Sequence, residues 1–165
     1  MVCSLDLIAV RVKAEIDYAE ELRRKEEEER LRREEEERER LRREEEHRCW
    51  LEAVAKDTIN FCETTVNYDL LATAKDCEQR IISVSYRVGE IDDENICTLL
   101  VHNTNYADGS PSFSPAGKTI NYKVMKDYLS KFCLPLNREE YIYRRWGCGE
   151  QVGNLLTITI NVKGS

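Results

Sequence analysis

The chain has 165 residues, with 25 basic and 32 acidic side chains and a net charge of −7. That length allows one domain, or one domain with an appendage. The acidic balance argues against a protein that holds nucleic acid by phosphate neutralisation, which needs a basic face, and against docking on anionic lipid.

Charge is unevenly spread. Lys13 to Arg48 carry 16 acidic and 12 basic residues, whereas Cys49 to Ser165 carry 15 and 12 in a far more apolar background. Only the second part has the apolar content to bury a core. The expected organisation is a helical arm over 1–48, amphipathic and then Glu/Arg-rich, followed by a small α+β globular domain over 49–165. Seven cysteines with no CxxC spacing read as reduced thiols of a cytoplasmic protein rather than a disulfide framework. Met1 to Val12 lacks the basic start and small-residue cleavage site of a signal peptide, and no apolar run reaches transmembrane length.

In chain order, Ser4 can cap a helix whose apolar residues Leu5, Ile8, Val12, Ile16, Ala19 and Leu22 step by three and four. They form one apolar stripe. The stretch Arg23 to Arg48 then repeats blocks of Glu and Arg, with Leu22, Leu31 and Leu41 spaced too widely for a heptad seam. Within that stretch seven glutamates precede an arginine by four residues, among them Glu26–Arg30, Glu28–Arg32, Glu29–Arg33, Glu36–Arg40 and Glu39–Arg43. Each such pair stabilises an isolated helix by about 0.2–0.5 kcal/mol, so a helix that is polar on every side can stand in water. At about 1.5 Å per residue, 23–48 make a stiff spacer of roughly 39 Å.

From Cys49 the pattern becomes amphipathic again through Trp50, Leu51, Val54, Thr58 or Ile59, and Phe61 or Cys62, where the helix should dock on the globular domain. Thr64, Thr65 and Val66 are β-branched and weaken it; Asp69 can cap a second helix through Leu70, Leu71, Ala74 and Cys77. Ile82, Val84, Tyr86 and Val88 alternate with Ser83, Ser85 and Arg87, the signature of a half-buried strand. The loop GEIDDEN leads to ICTLLVHN, and these two strands should form a hairpin. Asn103 to Lys118 read as a long loop. Thr119 should cap a helix with Ile120, Val124, Tyr128 and Phe132 on one face, stopped by Pro135. Strands Glu140–Trp146 and Leu155–Val162 close the order α-α-β-β-α-β-β, which predicts a four-stranded, mostly antiparallel sheet with helices on one face.

Three stretches could carry chemistry. Residues 112–119, SFSPAGKT, resemble a phosphate-binding P-loop with serine in place of the first glycine; the resemblance implies Lys118 on phosphates and Thr119 on magnesium. Pro115 removes an amide from that cradle, and the plainer reading is a loop ending in a Thr cap. Gly147-Cys148-Gly149-Glu150-Gln151 is identical to the short motif of the complement and macroglobulin thioester-containing proteins. That resemblance implies Cys148 and Gln151 as a reactive pair on a large, all-helical, extracellular domain. Between two strands, the same glycines read as a hairpin turn with a free thiol. A Cys–His nucleophile would have to draw on His47 or His102, and neither sits beside a cysteine in a supporting context. Cys and His are too scattered for zinc, so no metal, cofactor or catalytic residue is expected.

What remains is a shape suited to binding. The expectation is a non-enzymatic adaptor or inhibitor that binds a protein partner, or itself, through Leu5, Ile8, Val12, Ile16 and Leu22 and through Arg144, Arg145 and Trp146. An inhibitor of a host nucleic-acid enzyme carried by a phage or mobile element fits the small, acidic composition. The alternative is a small ligand-binding or enzymatic domain using the 103–118 loop, Arg144, Arg145 and Cys148.

Overall fold

The computed structural model describes residues 4–76, 81–145 and 147–161. The chain divides into two compact units, Met1–Cys49 and Trp50–Ser165.

Helix α1 runs over Ser4–Phe61 and is exposed throughout its first 47 described residues. Its Glu/Arg pairing differs in detail from the spacing rule. Glu29–Arg33 and Glu39–Arg43 form as expected, but Arg30 and Arg40 each bridge two glutamates: Glu27 and Glu34 for Arg30, Glu37 and Glu44 for Arg40. A guanidinium fork can hold carboxylates three residues before it and four after, because both lie on its own side of the helix.

Beyond Asn60 the helix does not stop at the β-branched run. It widens into a π-turn over Cys62–Val66 and continues as α2, Asn67–Asp76. Thr58 and Thr64 each donate to the carbonyl four residues back, at 2.7 Å, a bond that loosens the regular ladder. Asp69, expected as a cap, lies inside α2, and its carboxylate accepts the Tyr86 hydroxyl at 2.5 Å. Cys77 lies outside the described residues.

Five strands close into a barrel: β1 Ile81–Val88, β2 Ile96–Asn105, β3 Pro111–Asn121, β4 Leu136–Arg145 and β5 Gly149–Asn161. The expected four-stranded sheet is therefore corrected by one strand, and the order becomes α-α-β-β-β-α-β-β. The extra strand is β3, hidden in a stretch whose Pro111, Pro115 and Gly117 look like a loop. Prolines survive there because they sit where the ladder is already interrupted: Pro115 faces Leu100 and Pro111 faces Asn105, each beside a break in register with β2. On its other side β3 meets β4 in parallel at the single pair Ser112↔Arg144, so few amides are demanded of it.

Parallel neighbours need a crossover, which is α3, Tyr122–Ser130. The Asn121 side chain caps it by accepting the Val124 N–H at 3.1 Å. Thr119 and Ile120, expected in this helix, end β3 instead, and the buried face of α3 is Met125 and Leu129, with Phe132 exposed.

All other pairings are antiparallel. β1 and β2, expected as an antiparallel hairpin, are antiparallel neighbours, but they join through Val88↔Leu99 while all eight residues of β1 pair along β5. β5 is the central strand: Asn154 to Ile158 pair with β1 on one side and β4 on the other. The alternation read from the sequence holds on both: Ile82, Val88, Leu156 and Ile158 are buried, while Ser85 and Thr157 pair hydroxyls outside at 3.0 Å. Val162 lies outside the described residues. Phe61, Cys62 and Val66 from the helices join Val88, Cys97, Ile120, Leu136, Leu156 and Ile158 in one core with Met125 and Leu129.

Candidate functional site

A second, smaller cluster stands apart from this core: Leu100, Phe113 and Tyr143, with Tyr141 packed against them. Alternation along β4 sends Tyr141 and Tyr143 to the same side, and the Phe113 ring meets both edge-on, at 6.4 and 6.2 Å between centroids. Gly153 makes room for them. A Cβ there would lie 3.0 Å from Tyr141 Cζ and 3.0 Å from two ring carbons of Tyr143.

Over this cluster lies Arg87. Its guanidinium carbon is 4.7 Å from the Phe113 centroid and 5.1 Å from that of Tyr141, within the range of a cation–π contact. Arg87 itself is exposed, whereas Phe113 and Tyr143 are buried. The Tyr141 hydroxyl is shut off from solvent without a geometrically sound hydrogen bond. Burial pushes its pKa up, and Arg87, first as a donor beside the hydroxyl and then by its charge, pulls against that push.

The residues expected to bind a partner fall into different places. Arg144 is engaged: it pairs with Asp108 at 3.0 Å and lies 5.2 Å from the Tyr106 ring, pinning the β2–β3 turn to β4. Arg145 is exposed at the end of β4. Trp146 lies outside the described residues. Leu5, Ile8, Val12, Ile16 and Leu22 are all exposed, from 72% for Leu5 to 45% for Leu22. Leu7, Val10 and Tyr18 are exposed as well. At 100° per residue Val10 falls opposite the first stripe, whereas Leu7 and Tyr18 flank it on the side of Leu22.

Residues 112–119 are strand, with Ser114 facing Val101 and Thr119 facing Thr98, so no loop exists there to cradle a phosphate. The expected 103–118 loop is the end of β2, a short turn and β3. The GCGEQ segment spans the β4–β5 turn and the start of β5: Cys148 N–H donates to Arg145 O at 3.0 Å, and Gly147 and Gly149 have φ of 75° and 74°, a region open to glycine. Gln151 Nε2 donates to the Cys148 carbonyl at 3.1 Å, and the Cys148 thiol is free and exposed.

Cys97 is buried against Ile120 O, and burial pushes its pKa up to about 12; burial also raises that of Cys62, to about 11. Neither is a poised nucleophile. His102 pairs with Asn105 and edges onto Phe113. Among the described residues no group of three or more His, Cys, Asp and Glu could hold a metal, and no helix is long and apolar enough to cross a membrane.

Arg87 and its aromatic seat were not legible as a site. In sequence Arg87 is one polar residue of an alternating strand, and Phe113 lies within the apparent loop. Tyr141, Tyr143 and the lone Gly153 facing them were the available signal. Comparison of the chain with protein-family models, curated proteins and solved structures found no match.

Proposed function

We propose that the chain is a non-enzymatic interaction protein, an adaptor or inhibitor, that binds a protein partner or a second copy of itself through the N-terminal part of α1, with the barrel as a second binding element. The observation that carries this is the run of eight large apolar side chains between Leu5 and Leu22, all exposed. Fully burying such a side chain contributes about 1.5–3 kcal/mol, so five on one stripe can offset the cost of association. Scattered exposed leucines need no explanation, but a contiguous helical stripe marks an interaction surface. The five described cysteines are all thiols, which supports a reducing, cytoplasmic setting. An inhibitor carried by a phage or mobile element remains one role within this reading.

The test is the full chain with Ile8, Val12 and Ile16 changed to Glu. Self-association in sedimentation, or capture of a defined partner, should be lost while the barrel unfolds at an unchanged temperature. A barrel that melts much earlier means the stripe belongs to its core, and the proposal fails.

A further inference from the structure

We propose that Arg87 is a carboxylate-binding anchor: a guanidinium seated on Phe113 and Tyr141 that takes an acidic side chain or C-terminal carboxylate of a protein partner. This rests on the reading of the chain as an interaction protein and names the chemistry of the partner that meets the barrel.

Arg138 and Arg144, two of the other barrel arginines, are already paired. Arg138 donates to Asn154 at 2.8 Å and stands 3.8 Å from Glu140. Arg144 is neutralised by Asp108. Arg87 has rings beneath it and, among the described residues, no ion-pair partner. Glu139 lies in the same row of the barrel, both being paired to Leu155, yet it forms no ion pair with Arg87.

The seat is built rather than incidental. Gly153 leaves the space that Tyr141 and Tyr143 fill, their rings brace Phe113, and the two faces so formed hold the guanidinium. The rings fix the position of the guanidinium beside the Tyr141 hydroxyl, and its exposed N–H groups suit a carboxylate, which a guanidinium can hold by two parallel bonds. An arginine already held by ring contacts loses little further freedom on binding, and arginine and tyrosine are among the residue types enriched at the hot spots of protein interfaces.

The experiment uses the full-length protein labelled with nitrogen-15 arginine, the Arg87 Nε–Hε resonance being assigned by its loss in Arg87→Lys. Hexaglutamate peptide is the probe, with hexaglutamine and inorganic phosphate as counterparts. A saturable shift of the Arg87 resonance with hexaglutamate and none with hexaglutamine is expected. Arg87→Lys keeps the charge but loses the fork, so it should bind the peptide about tenfold more weakly; Arg87→Gln should not bind it at this site. An Arg87 resonance that stays still while arginines of α1 move overturns the proposal, as does an equal response to phosphate, or a well-folded Arg87→Gln that binds undiminished. Arg87→Gln that loses thermal stability while the Arg87 resonance of the wild type ignores the peptide would make the residue a cover for the rings, which also overturns it. The Ile8, Val12 and Ile16→Glu variant should keep the Arg87 shift, so failure of the helical stripe and failure of the anchor read out separately.

Discussion

Thr58 Oγ1 lies 2.9 Å from the backbone nitrogen of Asn121 and accepts its N–H, while donating to the Val54 carbonyl at 2.7 Å. One fully buried hydroxyl thereby links α1 to the residue that ends β3 and caps α3. The bond fixes the register of the helix against the barrel.

Thr58→Val keeps the shape and removes the acceptor. The Asn121 N–H then lacks a partner, which should cost about 1–3 kcal/mol, read as a lower urea midpoint with an unchanged slope. An unchanged midpoint would show that water satisfies the amide and that the bond does not set the docking.

Gly153→Ala should also destabilise the barrel, by about 1–3 kcal/mol. The new methyl meets ring carbons at 3.0 Å, and those rings are held from behind by Phe113. Near-ultraviolet circular dichroism should change with it, because the tyrosines must move. A variant of wild-type stability with the wild-type aromatic spectrum would mean that the rings are loosely held.

A peptide of residues 13–48 should be monomeric and helical, with helicity that declines modestly in high salt. Its pH dependence has a definite sign. Glu21, Glu37 and Glu45 are held below the usual carboxylate range, first by the hydrogen bonds of Lys25, Arg40 and Arg48. A carboxylate with a depressed pKa contributes stability that is present above its unfolded value and lost as pH falls through the folded one. Helicity should therefore be flat through neutrality and fall below pH about 4. Random-coil spectra at low temperature, or helicity that rises on acidification, would contradict this.

Closure of a thioester between Cys148 and Gln151 expels ammonia, so intact mass spectrometry decides the point. The full sequence mass is expected, without a deficit of about 17 Da and without a methylamine adduct at Gln151. The Gln151 amide is engaged with the Cys148 carbonyl and the thiol faces solvent, an arrangement with no shield for an ester of this kind. A deficit at this peptide that disappears in Cys148→Ala would make the protein a covalent capture device.

The legible parts of the fold were those with strong local signals. The Glu/Arg helix follows from propensity and pairing alone, and β1 and the end of β5 follow from alternation over eight and more residues. β3 was illegible because its prolines are accommodated by breaks in its partner's register, a tertiary fact. The continuous path through the π-turn was hidden for a similar reason: packing of Phe61, Cys62 and Val66 into the core outweighs the weak helix preference of Thr64 and Thr65. Asp69 looked like a cap because its role depends on Tyr86, which arrives from 17 residues away. The Arg87 seat draws on four strands, so no window of sequence contains it.

The barrel is closed unevenly. β2 and β3 share a long ladder, and so do β1, β5 and β4, but the two groups meet through Val88↔Leu99 on one side and Ser112↔Arg144 on the other. A ring with two such narrow junctions should breathe as a hairpin swinging away from a three-stranded sheet, at a free energy below that of global unfolding. Cys97 sits in that hairpin, bonded to Ile120 within it and packed into the main core. Its alkylation is then a clock for the opening: Cys97 should be modified far more slowly than exposed Cys148, yet faster than the slowest-exchanging amides of Asn154 to Ile158, which are bonded from both sides.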